Sequence, residues 1–213
     1  MPSHTGAPAS GGGGSTTFSF VQKSQTTGSG ICTFGTNITA GNVVVVGLSI
    51  NGTASPVLST LKDGNGVSLT LTPLSPEIDP TTSTGTYIGY TLSAGGGTPT
   101  VTAVMTTGAI SDIWCSEFSW TGTTPTFDTD LGSYSATTTN PTVTLTLAGA
   151  NELTYACNWI SGSLSAASSP WTLGTASSDG NADEYDLSAS TSIAAGWTPT
   201  LQGPGTTIGA AFK

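Results

Sequence analysis

The stretch Asp179-Gly180-Asn181-Ala182-Asp183-Glu184-Tyr185-Asp186 sets oxygen-bearing side chains at near-alternate positions behind an early glycine. A Ca²⁺ ion takes roughly six to eight oxygen ligands from a tightly curled chain, and Asp179, Asn181, Asp183 and Asp186 are the side chains that would supply them. The register is not that of an EF-hand, because the glycine comes too early and no terminal glutamate closes the set. The same residue types build plain acidic turns by bonding their own backbone. Calcium is the one cofactor the sequence suggests, with a solvated acidic loop as the competing reading. Two pairs of carboxylates also have the chemistry of a glycosidase. Asp128 and Asp130 fall in a loop-like stretch, and Asp112 and Glu117 flank an aromatic strand. A structural role, with donors satisfying each carboxylate, is the simpler account of all four.

Aromatic side chains could stack on sugar rings. Trp171 and Trp197 stand beside prolines or in loop-like sequence, and with Tyr134 they are the candidates for an exposed ligand platform. In a two-sheet protein most such rings fill the core instead. Cys32, Cys115 and Cys157 are an odd, widely spaced set with no CxxC or Cys/His pattern, which argues against zinc. Each reads as a buried thiol; a disulfide between two of them is open, because sequence gives no Cα separation. Ser119 is not in a GxSxG context, so no nucleophile elbow is present.

Composition removes several classes of function. Among 213 residues there are three lysines, no arginine and one histidine, against 12 acids, for a net charge of −9. Nucleic-acid binding requires cations to replace phosphate counterions, and Lys23, Lys62 and Lys213 form no patch. His4 alone cannot build a multi-histidine metal site or a histidine-centred catalytic group. The longest apolar run, near Val43–Leu48, is too short to span a membrane. The first residues lack the charged and apolar regions of a secretory signal.

Residues 1–15 are rich in Gly, Pro and Ser and read as a flexible N-terminal arm. From residue 16 to 213 the chain is a succession of short β patterns punctuated by Gly, Pro, Asn and Asp. Val43-Val44-Val45-Val46-Gly47-Leu48 predicts a strand buried on both faces. In Ser111–Thr121, Trp114, Phe118 and Trp120 share one face, and Ile113 and Cys115 the other. Residues 73–84 and 122–140 read as long loops. Residues 141–147 and 152–161 read as a hairpin across Ala148-Gly149-Ala150-Asn151, and residues 184–188 and 192–197 as two separate strands. No helical period appears, and no internal repeat survives a register check. About a dozen short strands predict an all-β fold, one β-sandwich or jelly-roll-like domain following the arm.

Several segments together resemble a known module. They are Thr39-Ala40-Gly41-Asn42-Val43-Val44-Val45-Val46, Leu61-Lys62-Asp63-Gly64-Asn65-Gly66, Tyr90-Thr91-Leu92-Ser93-Ala94-Gly95-Gly96-Gly97, Glu117-Phe118-Ser119-Trp120-Thr121-Gly122 and Gly209-Ala210-Ala211-Phe212-Lys213. The resemblance is to a β-sandwich module of phage structural proteins and bacterial surface or secreted proteins, over roughly residues 17–213. It carries no catalytic residue. It implies a virion or extracellular setting. The leading expectation is a non-enzymatic structural protein on the exterior of a phage particle, specifically a capsid decoration protein. Its partners would be the major capsid protein, other virion subunits or copies of itself. Residues 1–22, with Phe18 and Phe20, would anchor it by adding a strand or filling a groove. The alternative is a carbohydrate-binding, adhesive module of a tail fibre or cell surface, with polysaccharide as ligand. Neither reading involves nucleic acid or a membrane.

Overall fold

The computed structural model describes residues 15–51, 58–63, 71–74, 76–136, 141–161, 163–167, 169–177, 180–195, 197–201 and 203–213. The sequence builds strands almost throughout. In the first half they are β1 (Thr17–Thr27), β2 (Ile31–Thr33), β3 (Val43–Asn51), β4 (Leu58–Asp63), β5 (Thr72–Pro73), β6 (Glu77–Ile78), β7 (Gly85–Thr91), β8 (Thr100–Met105) and β9 (Ala109–Thr121). In the second half they are β10 (Phe127–Ser135), β11 (Val143–Ile160), β12 (Ser163–Ala167), β13 (Thr172–Ala176), β14 (Ala182–Ala195), β15 (Trp197–Leu201) and β16 (Gly205–Phe212). The protein is all-β, and its two large sheets pack as a β-sandwich.

The strand order shows how the chain is organised. One large sheet runs β1-β9-β3-β7-β5, with β6 also on β7, and a smaller sheet runs β2-β8-β4. The other large sheet runs β10-β16-β11-β14-β13, with a small β12-β15 sheet. Each half thus places its first strand beside its last, then its early and late inner strands, and pairs its penultimate strand with the cap. That is a jelly-roll order, made once by residues 17–121 and again by residues 127–212. The all-β sandwich expected from the sequence is the fold found, and within it the two large sheets repeat one strand order, with β1, β9, β3 and β7 matched by β10, β16, β11 and β14.

Three hydrophobic layers follow from strand alternation. On β3, Val44, Val46, Leu48 and Ile50 face the β2-β8-β4 cap and pack with Cys32, Phe34, Val101, Ile113 and Cys115. Val43 and Val45 face the opposite way, into an inner core shared by the two halves, with Trp114, Phe118, Leu153, Tyr155, Ile208 and Phe212. The third layer backs the second large sheet and holds Val143, Leu145, Ile160, Trp171, Ile193 and Trp197. The both-face burial read for β3 holds, since all its residues but Asn51 are buried. The two faces read for β9 also hold.

Two aromatic triads lock the halves together in matching positions. Phe20 of β1 stacks on Tyr185 of β14 at 5.2 Å, and Phe118 of β9 meets that tyrosine edge-on at 5.5 Å. Phe127 of β10 stacks on Tyr90 of β7 at 5.4 Å, and Phe212 of β16 meets that tyrosine edge-on at 5.0 Å. Each triad takes rings from the first and last strands of one half and from an inner strand of the other.

Three local readings are overturned. Residues 143–160 form one strand, not a hairpin, paired with β14 through register shifts between Thr146 and Thr154. Asn151 at φ 62° and Thr191 at φ 63° mark the irregularities in the two strands. These bulges switch the buried parity: Val143, Leu145 and Leu147 face the outer layer, whereas Leu153, Tyr155 and Cys157 face the inner one. The ribbon therefore bends over its own sheet, and a Cβ at Gly209 would lie 3.1 Å from Val143. Residues 184–188 and 192–195 likewise belong to the single strand β14. The loop read at 122–140 contains β10.

Candidate functional site

Among the described residues, the carboxylate in an ion pair is Asp128, at the start of β10. Lys213, just past β16, places its Nζ 2.5 Å from Asp128 Oδ1, and the Ala148 amide donates to Asp128 Oδ2 at 2.9 Å. Burial pushes Asp128 up, but the Lys213 ammonium and the Ala148 N–H outweigh it and hold its carboxyl below the usual range. Glu152, on the β11 bulge, is buried beside it. Its pKa is raised by burial and then by the charge of Asp128, despite a 2.7 Å bond from the Gly149 amide. The two carboxyls sit in hydrogen-bonding contact and titrate together. The partner of Asp128 is thus Glu152, not the Asp130 that sequence proximity suggests.

An open groove of about 220 Å³ adjoins this cluster, lined by Thr16, Thr123, Thr124, Thr126, Asn151 and Lys213 among others. Three parts of the chain converge there. The Thr16 hydroxyl donates to the Thr123 carbonyl at 2.9 Å. Thr126 and Lys213 exchange backbone bonds at 2.6 and 2.9 Å. The segment joining the two halves is therefore pinned to the start of β1 and the end of β16. The groove offers hydroxyls and one ammonium, which suit hydrogen bonding to a polar chain or glycan. It presents no aromatic platform among its lining residues.

The other sequence candidates lie inside the fold. Asp112 is fully buried and accepts bonds from Ser49 Oγ at 2.9 Å, Thr27 Oγ1 at 2.8 Å and Asn181 Nδ2 at 2.7 Å. Glu117, also buried, accepts from Gln22 Nε2 at 2.5 Å, the Thr39 amide at 2.8 Å and Asn42 Nδ2 at 2.7 Å. Their neighbours on β9 alternate in direction, so Asp112 and Glu117 face opposite sides of the sheet and form no catalytic pair. The structural account of both is the one their partners support.

The residues read as calcium ligands are not gathered into one site among the described residues. Asp179 lies outside them. Asn181 spends its amide on Asp112 and accepts the Ile160 amide at 2.9 Å. Asp183 accepts from Tyr155 Oη at 3.0 Å and the Thr175 amide at 2.6 Å. Asp186 sits on the opposite face of β14 and accepts from Ser188. An extended strand sends these side chains apart, where a metal needs a curl. Among the described residues no cluster of three acidic, Cys or His side chains could hold a metal.

The aromatic platform is corrected as well. Trp171 and Trp197 are only 5% and 6% exposed and belong to the outer layer of the second half. The Trp171 indole donates to the Ala194 carbonyl at 2.7 Å. Tyr134 is half-buried and hydrogen-bonds Asp79, whose carboxylate caps the turn at Thr81 and Thr82. Phe18 is buried and Phe20 partly so, both in the inner core, and β1 is already paired with β9. These rings pack within the sandwich.

Sequence reasoning missed the polar ties between the halves. Lys23 on β1 donates to the Gly174 and Leu173 carbonyls on β13. Behind Gly174 lies Asp183, whose pKa burial raises to about 6 against opposing bonds from Thr175 and Tyr155 and the nearby charge of Lys23. Asn181 reaches across to Asp112, and the Cys157 thiol to the Tyr87 carbonyl at 3.5 Å. The only sequence signal for this seam was a lysine within an otherwise uncharged strand.

No family model matches the chain, and a search of the curated proteins returns no match.

Proposed function

We propose that this chain is a non-enzymatic structural protein of a phage particle, carried on its exterior as a decoration protein. The observation that carries the reading is the jelly-roll order built twice and fused through a shared aromatic core. Jelly rolls recur in viral shells and in lectins, so fold alone leaves both classes in play. What favours the structural role is where the chemistry-bearing residues lie. Asp112, Glu117, Asp183, Trp171 and Trp197 are all buried, and the three carboxylates and the Trp171 indole bond within the fold. The adhesive alternative drew on Trp171 and Trp197, which are withdrawn from solvent.

Attachment runs through the arm and the strand it leads into. β1 is eleven residues long and pairs through its backbone with β9 alone among the described strands. An edge strand of that length is a template for a neighbouring chain. Immunogold electron microscopy of source particles tests location: regular label over the shell is the expected result, and label confined to a tail tip or a cell surface would sink the reading. Deleting residues 1–15 tests anchoring, and unchanged particle binding would remove the arm from the account.

A further inference from the structure

The faces of the sheets sort the three cysteines. Cys32 lies on β2 in the cap and Cys115 on β9 in the large sheet, and the two strands pack against one another. Both side chains are fully buried in the same outer core. Both are free thiols, and they are near enough for each to act on the other electrostatically. Cys157 belongs to the inner core, on the other side of the large sheet, where a Cβ at Gly47 would lie 3.1 Å from its sulfur. The sheet itself separates Cys157 from the other two.

We propose that Cys32 and Cys115 are a disulfide-forming pair that staples the β2-β8-β4 cap to its large sheet when the protein folds in an oxidising setting, with Cys157 left as a thiol. Disulfide formation needs close Cα atoms and convergent side chains, and contact between β2 and β9 with both thiols in one buried layer brings the pair to the same place. The folded thiols are shielded, since burial raises the Cys115 thiol well above its ordinary range. The bond therefore forms during folding, while both sulfurs are still reached by solvent. With oxidised glutathione as co-reactant, one cysteine thiolate attacks its S–S bond and releases one glutathione thiolate. The second cysteine gives up its proton and attacks the protein-bound sulfur, releasing the other glutathione thiolate. Two protein thiols are oxidised and one glutathione disulfide is reduced. The inference does not depend on the functional reading above.

The test refolds the full chain from a reduced, denatured state, once in a mixture of reduced and oxidised glutathione and once with dithiothreitol. Non-reducing chymotryptic mapping by mass spectrometry should find Cys32 and Cys115 peptides linked, with the loss of two hydrogens. A single thiol should titrate after denaturation. The thermal midpoint should rise by several degrees and fall back on reduction. The Cys157→Ser variant should keep the linkage. Three titratable thiols in protein folded under oxidising conditions, or linkages to Cys157 in comparable amount, would overturn the proposal. If Cys157→Ser folds poorly, the wild-type linkage map decides alone.

Discussion

At the residue scale, Asp183 is a carboxylate held where its charge is unwelcome. The groups facing it are Lys23 from β1, Tyr155 and Cys157 from β11, Thr175 from β13 and, more distantly, Cys115 from β9 and Tyr185 on its own strand. Its folded pKa of about 6 stands above the ordinary 3.8. The native state therefore binds the proton more tightly than the unfolded chain does. The resulting stabilisation is complete below pH 3.8, declines as pH rises, and is gone above about pH 6. Asp183→Asn cannot ionise, so its stability relative to wild type should improve across that window, by roughly 2–3 kcal/mol. Urea denaturation of both proteins from pH 4 to pH 8 checks this; a difference that does not change with pH would refute it. Gly174 has its own constraint, because a Cβ there would overlap the Asp183 carboxyl. Gly174→Ala should destabilise the protein by about 1–3 kcal/mol in the same assay, and less when combined with Asp183→Ala.

At the scale of elements, the bent ribbon of β11 and β14 is the feature most at odds with local propensity. Thr191 is β-branched yet sits at φ 63°, a conformation that glycine adopts freely. Thr191→Gly should stabilise the fold by about 1 kcal/mol, whereas Thr191→Val should not; thermal denaturation distinguishes them. The same ribbon explains what could be read from sequence and what could not. β3, β7, β8, β9 and β16 were legible because unbroken or alternating apolar runs mark them. Ala148-Gly149-Ala150-Asn151 has turn composition, yet its residues form a bulge within a continuous strand. Only the partner strand, more than thirty residues away, distinguishes the two. β10 was missed because Phe127-Asp128-Thr129-Asp130-Leu131-Gly132 is a polar edge with no clean alternation.

For the whole molecule, the repeated strand order leaves short traces in the sequence. Tyr90-Thr91-Leu92-Ser93-Ala94 returns as Tyr185-Asp186-Leu187-Ser188-Ala189, and Thr98-Pro99-Thr100-Val101 as Thr198-Pro199-Thr200-Leu201. The spacing between copies changes from one segment to the next because the loops differ in length, so no single register aligns them. The functional side chains were less legible. Burial of Trp171, Trp197, Asp112 and Glu117 depends on which layer each strand face meets, and a single strand carries no record of that. The repeat makes a testable equivalence. Phe118 and Phe212 occupy matching places in the two triads and are both fully buried. Phe118→Ala and Phe212→Ala should each cost about 3–5 kcal/mol. Each should lower hydrogen-exchange protection in both halves alike, because the inner core is common property. Protection lost in one half only would show that the halves unfold separately.

The short connection at residues 122–126 is the covalent link between two bodies that already share rings, a lysine clasp and a buried Asn–Asp bond. An interface of that character resembles the permanent contact between subunits more than a hinge between domains. Severed there and produced as two polypeptides, the halves should find one another and restore the native fold. The molecule can accordingly be understood as a dimer written into one gene, able to serve as a split reporter whose two pieces reassemble without a tether.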